Sequence, residues 1–308
     1  MNPLKTTRTH SLFTYHAGLA LLLGGAAYGQ VTSINSVNIQ ERVYDDVPGA
    51  TLTVVTNYPS VVSFNEQNVS AASGFANRDI WRFSADNGAT PYQFQHNDYF
   101  HVSMDFVLTG TPITPRKEAG ILFSTASEGD IQFILDTDGH EVVQFGGLSF
   151  YTFSGNNLVS YNSGDTIRLG MSYFLDGNGK NALQFFANQF SSPVFEFTAS
   201  AGNGSLDAGD GSLLGAYFQI VQDSSNPSNS GSLSNLNISI SPQPQLNIVS
   251  SGNQEVIYWP ASATNYVLQS STNVASTTWT TVSNATKIIG VTVTNTSPQT
   301  FYRLQGTP

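Results

Sequence analysis

The stretch "EGDIQFILDTDGHE", residues 128–141, gathers Glu128, Asp130, Asp136, Asp138, His140 and Glu141. It reads either as a site or as a strand followed by the turn of a hairpin. Alternating strands run straight into and out of it. Its "DTDG" (136–139) supplies the Asp and Gly that tolerate positive φ between adjacent antiparallel strands. The hairpin reading needs no ligand, and it sets the fold class.

Working outward, period-two alternation recurs, as half-buried strands require. Phe100, Val102, Met104, Phe106 and Leu108 form one such face. Ile167, Leu169, Met171 and Tyr173 form another, then Leu183, Phe185 and Ala187, then Leu214, Ala216, Phe218 and Ile220. "DGNGKN" (176–181) is a second turn, and "LSNLNISI" (233–240) a closing strand ended by Pro242 and Pro244. No helical pattern follows the N-terminal segment. Many strands at short spacing with polar turns predict an all-β chain, a sandwich or jelly roll.

Composition is consistent with this. Of 308 residues, 40% are hydrophobic and 12% aromatic, with 20 Phe and 13 Tyr, and only 10% are charged, so there is ample apolar surface to bury. There is no cysteine, which excludes thiol catalysis and thiolate metal sites. The net charge of −10 disfavours nucleic acid as a partner. The acidity lies almost wholly before residue 246, because 246–308 carry only Glu255, Lys287 and Arg303. At the N-terminus, Lys5 and Arg8 precede "LALLLGGAA", and Ala27-Tyr28-Gly29 offers small residues for cleavage. The expectation is an export signal over 1–29, and a mature protein without a membrane span, secreted or at the cell surface. The alternative, a retained anchor, asks the apolar run to reach about 20 residues, which it does not.

"SPQPQ" (241–245) reads as a linker between a unit over 30–240 and a smaller one over 246–308. In the smaller unit, strand candidates surround Trp259 and Trp279, the expected core centre. Its "YWPASATNYVLQSSTNVASTTWTTVSN" and closing "FYRLQ" resemble the fibronectin-III-like C-terminal modules of exported bacterial proteins. That resemblance implies an accessory role in display, spacing or sorting, with no catalytic residue. The larger unit, from "AGILFST" through "GDIQFILDTDGHEVVQFGG" to "LSNLNISI", resembles the concanavalin A-like jelly rolls of lectins and laminin-G-type domains.

The candidate sites follow. Laminarinase-type glucanases of this fold use Glu-x-Asp-x-Glu on one strand face, whereas Glu128-Gly129-Asp130-Ile131-Gln132 keeps only the first two acids, and Gln132 cannot recycle a proton. Asp136, Asp138 and Glu141 offer hard oxygens to calcium, although EF-hand spacing is absent; "SLDAGDG" (205–211) and "DGNGKN" are similar candidates. No other cofactor is expected. His96 and His101 fall on opposite faces of an unbroken strand, so with His140 they make a poor zinc site. No G-x-S-x-G elbow occurs. Aromatics beside amides and acids suit sugar faces, among them Trp81, Tyr92 and Tyr151. Phe150, Tyr151 and Phe153 cannot all face one core if extended. Arg78 and Arg82 lie opposite Trp81 and Phe83 on their strand, with ion pairing to acids the simplest role.

The sequence therefore predicts a concanavalin A-like jelly roll followed by a fibronectin-III-like module. The expected function is non-catalytic binding of an extracellular glycan or cell-surface polymer, through Trp81, Tyr92, Glu128, Asp130, Gln132 and Tyr151. A structural or adhesive surface protein is the alternative, and a polysaccharide-active enzyme the third reading.

Overall fold

The computed structural model describes residues 34–70, 74–176, 180–198, 205–242, 246–251, 254–258, 266–273, 278–282, 290–294 and 300–306. The expected signal over 1–29 lies outside these residues. In chain order the large unit runs β1 (Ser36–Asp45), β2 (Thr51–Asn57), β3 (Val61–Gln67), β4 (Ala76–Ser84) and β5 (Phe100–Thr111). Next come β6 (Lys117–Thr125), β7 (Gly129–Asp136), β8 (Val142–Phe145), β9 (Tyr151–Thr152) and β10 (Thr166–Leu175). It closes with β11 (Asn181–Ala187), β12 (Phe190–Ser191), β13 (Phe195–Glu196), β14 (Leu213–Val221) and β15 (Ser230–Pro242).

These strands make two antiparallel sheets. One has seven strands in the order β1-β4-β14-β6-β7-β8-β9. The other has eight, β12-β11-β10-β5-β15-β3-β2 with β13 also on β11. The order shuttles between distant parts of the chain, and the larger unit is a jelly roll. The alternating apolar faces of β5, β10, β11 and β14 are buried against one another between the sheets. Their burial supplies the main driving force, at about 25 cal/mol per Å² of apolar area. No helix among the described residues is long and apolar enough to cross a membrane.

The hairpin reading of 128–141 holds, with a change of detail. β7 begins at Gly129, whose φ of +76° only glycine accepts readily, and β8 starts after the turn. The residue at positive φ inside the turn is His140 (φ 51°), in place of the expected Asp and Gly. Asp136 Oδ1 accepts the Gly139 amide at 3.0 Å and the Glu141 amide at 3.4 Å, so one carboxylate closes the turn. The turn expected at "DGNGKN" falls partly on residues 177–179, outside those described.

β15 continues two residues into the expected linker, with Ser241 paired to His101 and Pro242 to Phe100. Beyond it lie β16 (Asn247–Ser251), β17 (Gln254–Tyr258), β18 (Tyr266–Ser271), β19 (Thr280–Thr281), β20 (Gly290–Thr294) and β21 (Phe301–Gly306). They form two three-stranded antiparallel sheets, β16-β17-β20 and β19-β18-β21. Their described core is Ile257 and Leu268, flanked by Leu246, Val282, Val293, Tyr302 and Leu304. Trp279 is not its centre: the Arg303 guanidinium stacks 4.5 Å from the half-buried indole. Trp259 lies outside the described residues.

Candidate active site

The seven-stranded sheet has a second face, turned away from the core. Register places its side chains in three rows that cross the strands. The first row is Arg78, Gln219, Glu118 and Asp136; the second is Ile80, Tyr217, Gly120, Ile134 and Val143; the third is Arg82, Gly215, Leu122, Gln132 and Phe145. A side chain at either glycine is excluded by backbone: a Cβ on Gly120 would overlap the Phe133 carbonyl oxygen, and one on Gly215 the Trp81 carbonyl oxygen. The centre of the face thus stays low, and longer side chains lie across it.

Arg78 uses that space. Its guanidinium carbon sits 4.1 Å from the centroid of the Tyr217 ring, and Nη2 donates to Gln132 Oε1 at 2.9 Å, three strands away in the sheet. Stacking a cation on a ring in a desolvated place is worth about 2 kcal/mol. Arg82 donates to the Leu122 carbonyl at 3.0 Å, the Leu213 carbonyl at 3.2 Å and Ser124 Oγ at 2.6 Å. Ser124 Oγ passes the link on to Asp130 Oδ1 at 2.5 Å. Burial pulls the Arg82 guanidinium down to about 10, with the Asp130 charge opposing. Neither arginine closes an ion pair among the described residues, which corrects the expected pairing with acids. Amides, carbonyls, a hydroxyl and a ring hold them instead, with Asp130 and Glu118 as the nearby acids not in direct contact.

Glu118 and Tyr217 complete the group. Glu118 Oε1 accepts from Gln219 Nε2 at 2.9 Å, and Oε2 lies 3.2 Å from Arg116 Nε. Burial holds its carboxyl above the ordinary value, against the pull of Arg116 and Arg78. The Tyr217 hydroxyl lies beside Glu118 and Arg78 but completes no well-formed hydrogen bond, and burial keeps it protonated. The face thus carries two cations, a buried phenol and a buried carboxyl.

Of the residues singled out in the sequence, this face collects Arg78, Arg82, Asp130, Gln132 and, at its end, Asp136. Glu128 sits in the β6–β7 turn, its amide donating to Thr125 Oγ1 at 3.0 Å. The other candidates are elsewhere. Trp81 is fully buried in the core, with Nε1 donating to Asn235 Oδ1 at 2.7 Å, so it is a packing residue and not a ligand platform. Tyr92 packs edge-on against Phe94 and donates to Asp98 Oδ2 at 3.3 Å. Tyr151 packs on Phe153 at 5.1 Å. As the crowding of aromatics there required, Phe150 is 64% exposed while Phe153 is buried. Asp136 spends its carboxylate on the turn, and among the described residues no three His, Asp or Glu side chains gather for a metal ion. His96 meets Asp210 Oδ1 at 2.8 Å and His101 meets Ser172 Oγ at 2.8 Å, well apart. Tyr217, Glu118 and Gln219 were not anticipated. Their alternate positions on strands were legible, but the apolar residues interleaved with them hid a second polar face.

A comparison with protein-family models finds no match, and neither does one with curated proteins. Among solved structures, the chain is similar to alginate lyase AlgAT5 from polysaccharide lyase family 7, with a TM-score of 0.41 and 13% identity over 68% of this chain and 94% of that one. An alginate lyase from Corynebacterium sp. gives 0.39 and 13% over 68% and 94%. An uncharacterised protein from Mycobacterium paratuberculosis gives 0.41 and 7% over 67% and 91%. The neighbours with a stated activity cleave polysaccharide. This corrects the expectation of a non-catalytic glycan-binding protein and of a chain without enzymatic activity. At these identities what the chain shares with them is the jelly-roll fold.

Proposed function

We propose that this chain is a polysaccharide-active enzyme that cleaves an acidic, uronate-containing glycan on the outer face of the seven-stranded sheet. The observation that carries the reading is Arg78 laid across that face, stacked on Tyr217 and bonded to Gln132, with no carboxylate in direct contact among the described residues. A cation and an amide side by side suit a sugar carboxylate, which a guanidinium and an amide N–H bind together. Drawing charge off that carboxylate acidifies the C5 hydrogen, as a fixed positive group does for any enolate-like transition state. Tyr217 and Glu118, both buried, reach the sugar only when Arg78 lifts off the ring to meet the carboxylate. The C5 proton then passes to the Glu118 carboxylate, the C4–O bond breaks, and the Tyr217 hydroxyl protonates the departing oxygen. A C4=C5 double bond remains in the new end sugar. A carboxyl raised toward neutrality and a phenol kept protonated are matched to these two roles. The exposed Asp130 and partly exposed Gln132 mark the side from which a chain enters.

The test is incubation of the full chain with alginate, pectate and a neutral glucan, following the ultraviolet absorbance of the unsaturated product. Absorbance that grows on a polyuronate and not on the glucan supports the proposal; reducing ends released from the glucan alone defeat it. Arg78→Lys keeps the charge but loses the planar fork. Its rate is expected to fall at least tenfold, mostly in KM, whereas an unchanged rate would remove Arg78 from the site. We further read the small unit as a fibronectin-III-like accessory module, which its two three-stranded antiparallel sheets support, and the protein as acting outside the cell once 1–29 are removed.

A further inference from the structure

The outer face of the seven-stranded sheet does not stop at β4, because β1 lies beside it as the edge strand. Gln40 pairs with Ile80, and Tyr44 pairs with Arg78. Glu41, Arg42 and Val43 therefore all stand opposite Asp79, a bulge of three residues against one. In an unbroken register Arg42 would fall across from Arg78 and set two guanidinium groups side by side. The bulge prevents this. Arg42 takes φ 53°, a left-handed conformation uncommon outside glycine, and turns between the sheets to Glu66 and Asp79. Tyr44 comes to lie across from Arg78 in its place.

Packing does not account for that position. Tyr44 is 51% exposed and joins none of the apolar clusters among the described residues. The Arg78 guanidinium carbon lies 4.1 Å from the Tyr217 centroid and 5.6 Å from that of Tyr44, so the cation stands between a buried ring and an exposed one. A lone exposed ring needs no explanation by itself. This one is brought by a strained bulge to the guanidinium on which the proposed site rests, and bulges of this kind re-aim side chains beside active sites. Adjacent strands lie about 4.8 Å apart, close to the length of one pyranose unit along a glycan. A chain that crosses the strands with one carboxylate at Arg78 therefore lays its next unit over Tyr44, and the C–H face of a sugar stacks on an aromatic ring.

We infer that Tyr44 is a substrate-contacting residue, the platform for the sugar unit next to the one whose carboxylate Arg78 holds. The inference rests on that reading of Arg78 and extends the site to at least two consecutive units. Arg78 selects charge, and Tyr44 selects the flat face of a ring.

The test measures binding and cleavage separately on the full chain. Binding is read as retardation in native gels containing pectate, alginate or a neutral glucan, and cleavage as ultraviolet absorbance of the unsaturated product. Tyr44→Leu keeps an apolar cover beside Arg78 but removes the aromatic face, whereas Tyr44→Trp keeps the face. At least one polyuronate is expected to retard the wild type and Tyr44→Trp alike, and Tyr44→Leu about tenfold less. In rates, Tyr44→Leu is expected to raise KM about tenfold with kcat within about twofold. Should Tyr44→Leu not accumulate as folded protein, Tyr44→Thr, which suits a strand, replaces it. Leucine binding as well as tyrosine overturns the inference, as does tryptophan binding no better than leucine. A fall in kcat at unchanged KM also overturns it, since Tyr44 would then only position Arg78. Retardation of the wild type without absorbance defeats the lyase reading alone and leaves the gels to decide Tyr44. Cleavage that is unchanged in Tyr44→Leu defeats the inference alone. A wild type that neither binds nor cleaves a polyuronate, or that the neutral glucan retards as strongly, defeats both.

Discussion

At the scale of single residues, Trp81 shows how a polar atom on a large apolar body decides a role. Its indole fills the space between the sheets, and Nε1–H reaches from β4 to Asn235 on β15, tying the two sheets together at 2.7 Å. Trp81→Phe removes the donor and part of the volume, leaving the buried Asn235 amide unpaired. The expected loss is about 2–4 kcal/mol, from the unsatisfied acceptor plus the cavity. It is read as a lower urea midpoint at constant m; a change below about 0.5 kcal/mol would mean that the bond contributes little. The same residue type looks alike in sequence whether it stacks on a sugar or packs in a core. Only the position of Asn235, 154 residues later, distinguishes the two. Arg78 presents the same difficulty: its partner Gln132 was visible as a departure from a glucanase motif, but the pairing was not, because the two lie on strands separated by β14 and β6.

At the scale of elements, alternation made β5, β10, β11 and β14 legible, since one buried face imposes period two on any strand. β4 resisted the same reading. Its "NRDIWRFS" shows no alternation, with three polar residues in a row, yet the whole strand is buried, because Arg78 and Arg82 fold down onto the outer face while Asp79, Trp81 and Phe83 point inward. The outer face depends on two glycines, which fixes a prediction at this scale. Gly120→Ala drives a methyl into the Phe133 carbonyl and forces β6 away from β7. A loss of several kcal/mol, or failure to accumulate folded protein, is expected, whereas Gly49→Ala, with nothing within 4 Å of the added carbon, is expected to change little. Thermal melts of the two variants side by side make the comparison. The β7–β8 turn supplies another prediction. With Asp136 spent on two amides, calcium has no free cluster to join among the described residues, and adding calcium and then EDTA is expected to leave Tm unchanged. A calcium-dependent rise in Tm would show that loops brought together by folding do bind the ion.

At the scale of the whole molecule, the two sheets meet near β1, β3 and β4 around a buried charge cluster with consequences for stability. Glu66 on β3 and Asp79 on β4 lie together, both fully buried. Arg42 on β1 is the neighbouring cation: Nε lies 3.0 Å from Glu66 Oε1, Nη2 donates to Glu66 Oε2 at 3.1 Å, and its amide donates to Asp79 Oδ1 at 2.8 Å. Glu41 adds a further negative charge near Asp79, and Asn77 a hydrogen bond to Glu66. One arginine cannot hold two desolvated carboxylates, so the pair shares a proton. Burial, and then the Asp79 charge, push the Glu66 carboxyl up to about 8, and burial raises Asp79 as well. The folded chain then binds more protons than the unfolded one between the ordinary glutamate value of 4.5 and about 8. The resulting stabilisation is complete below that range and is lost as pH rises through its upper end. Asp86, drawn down to about 2 by Ser84 and Thr90, acts only at lower pH and does not mask this window. The buried His101 imidazole, pulled down to about 4, opposes this below its ordinary value of 6.5. Lys117, pulled down to about 8, opposes it above 8. Wild-type Tm is therefore expected to fall from pH 6.5 to pH 8. Glu66→Gln keeps an acceptor for Arg42 and cannot ionise, so its Tm is expected to fall less than the wild type over the same range, Glu118 and Asp136 contributing to both, and to exceed the wild type at the alkaline end. Each pH unit of proton affinity removed corresponds to about 1.4 kcal/mol. A wild-type Tm independent of pH across this interval, or a Glu66→Gln curve parallel to it, would show that the carboxyl pair ionises without cost.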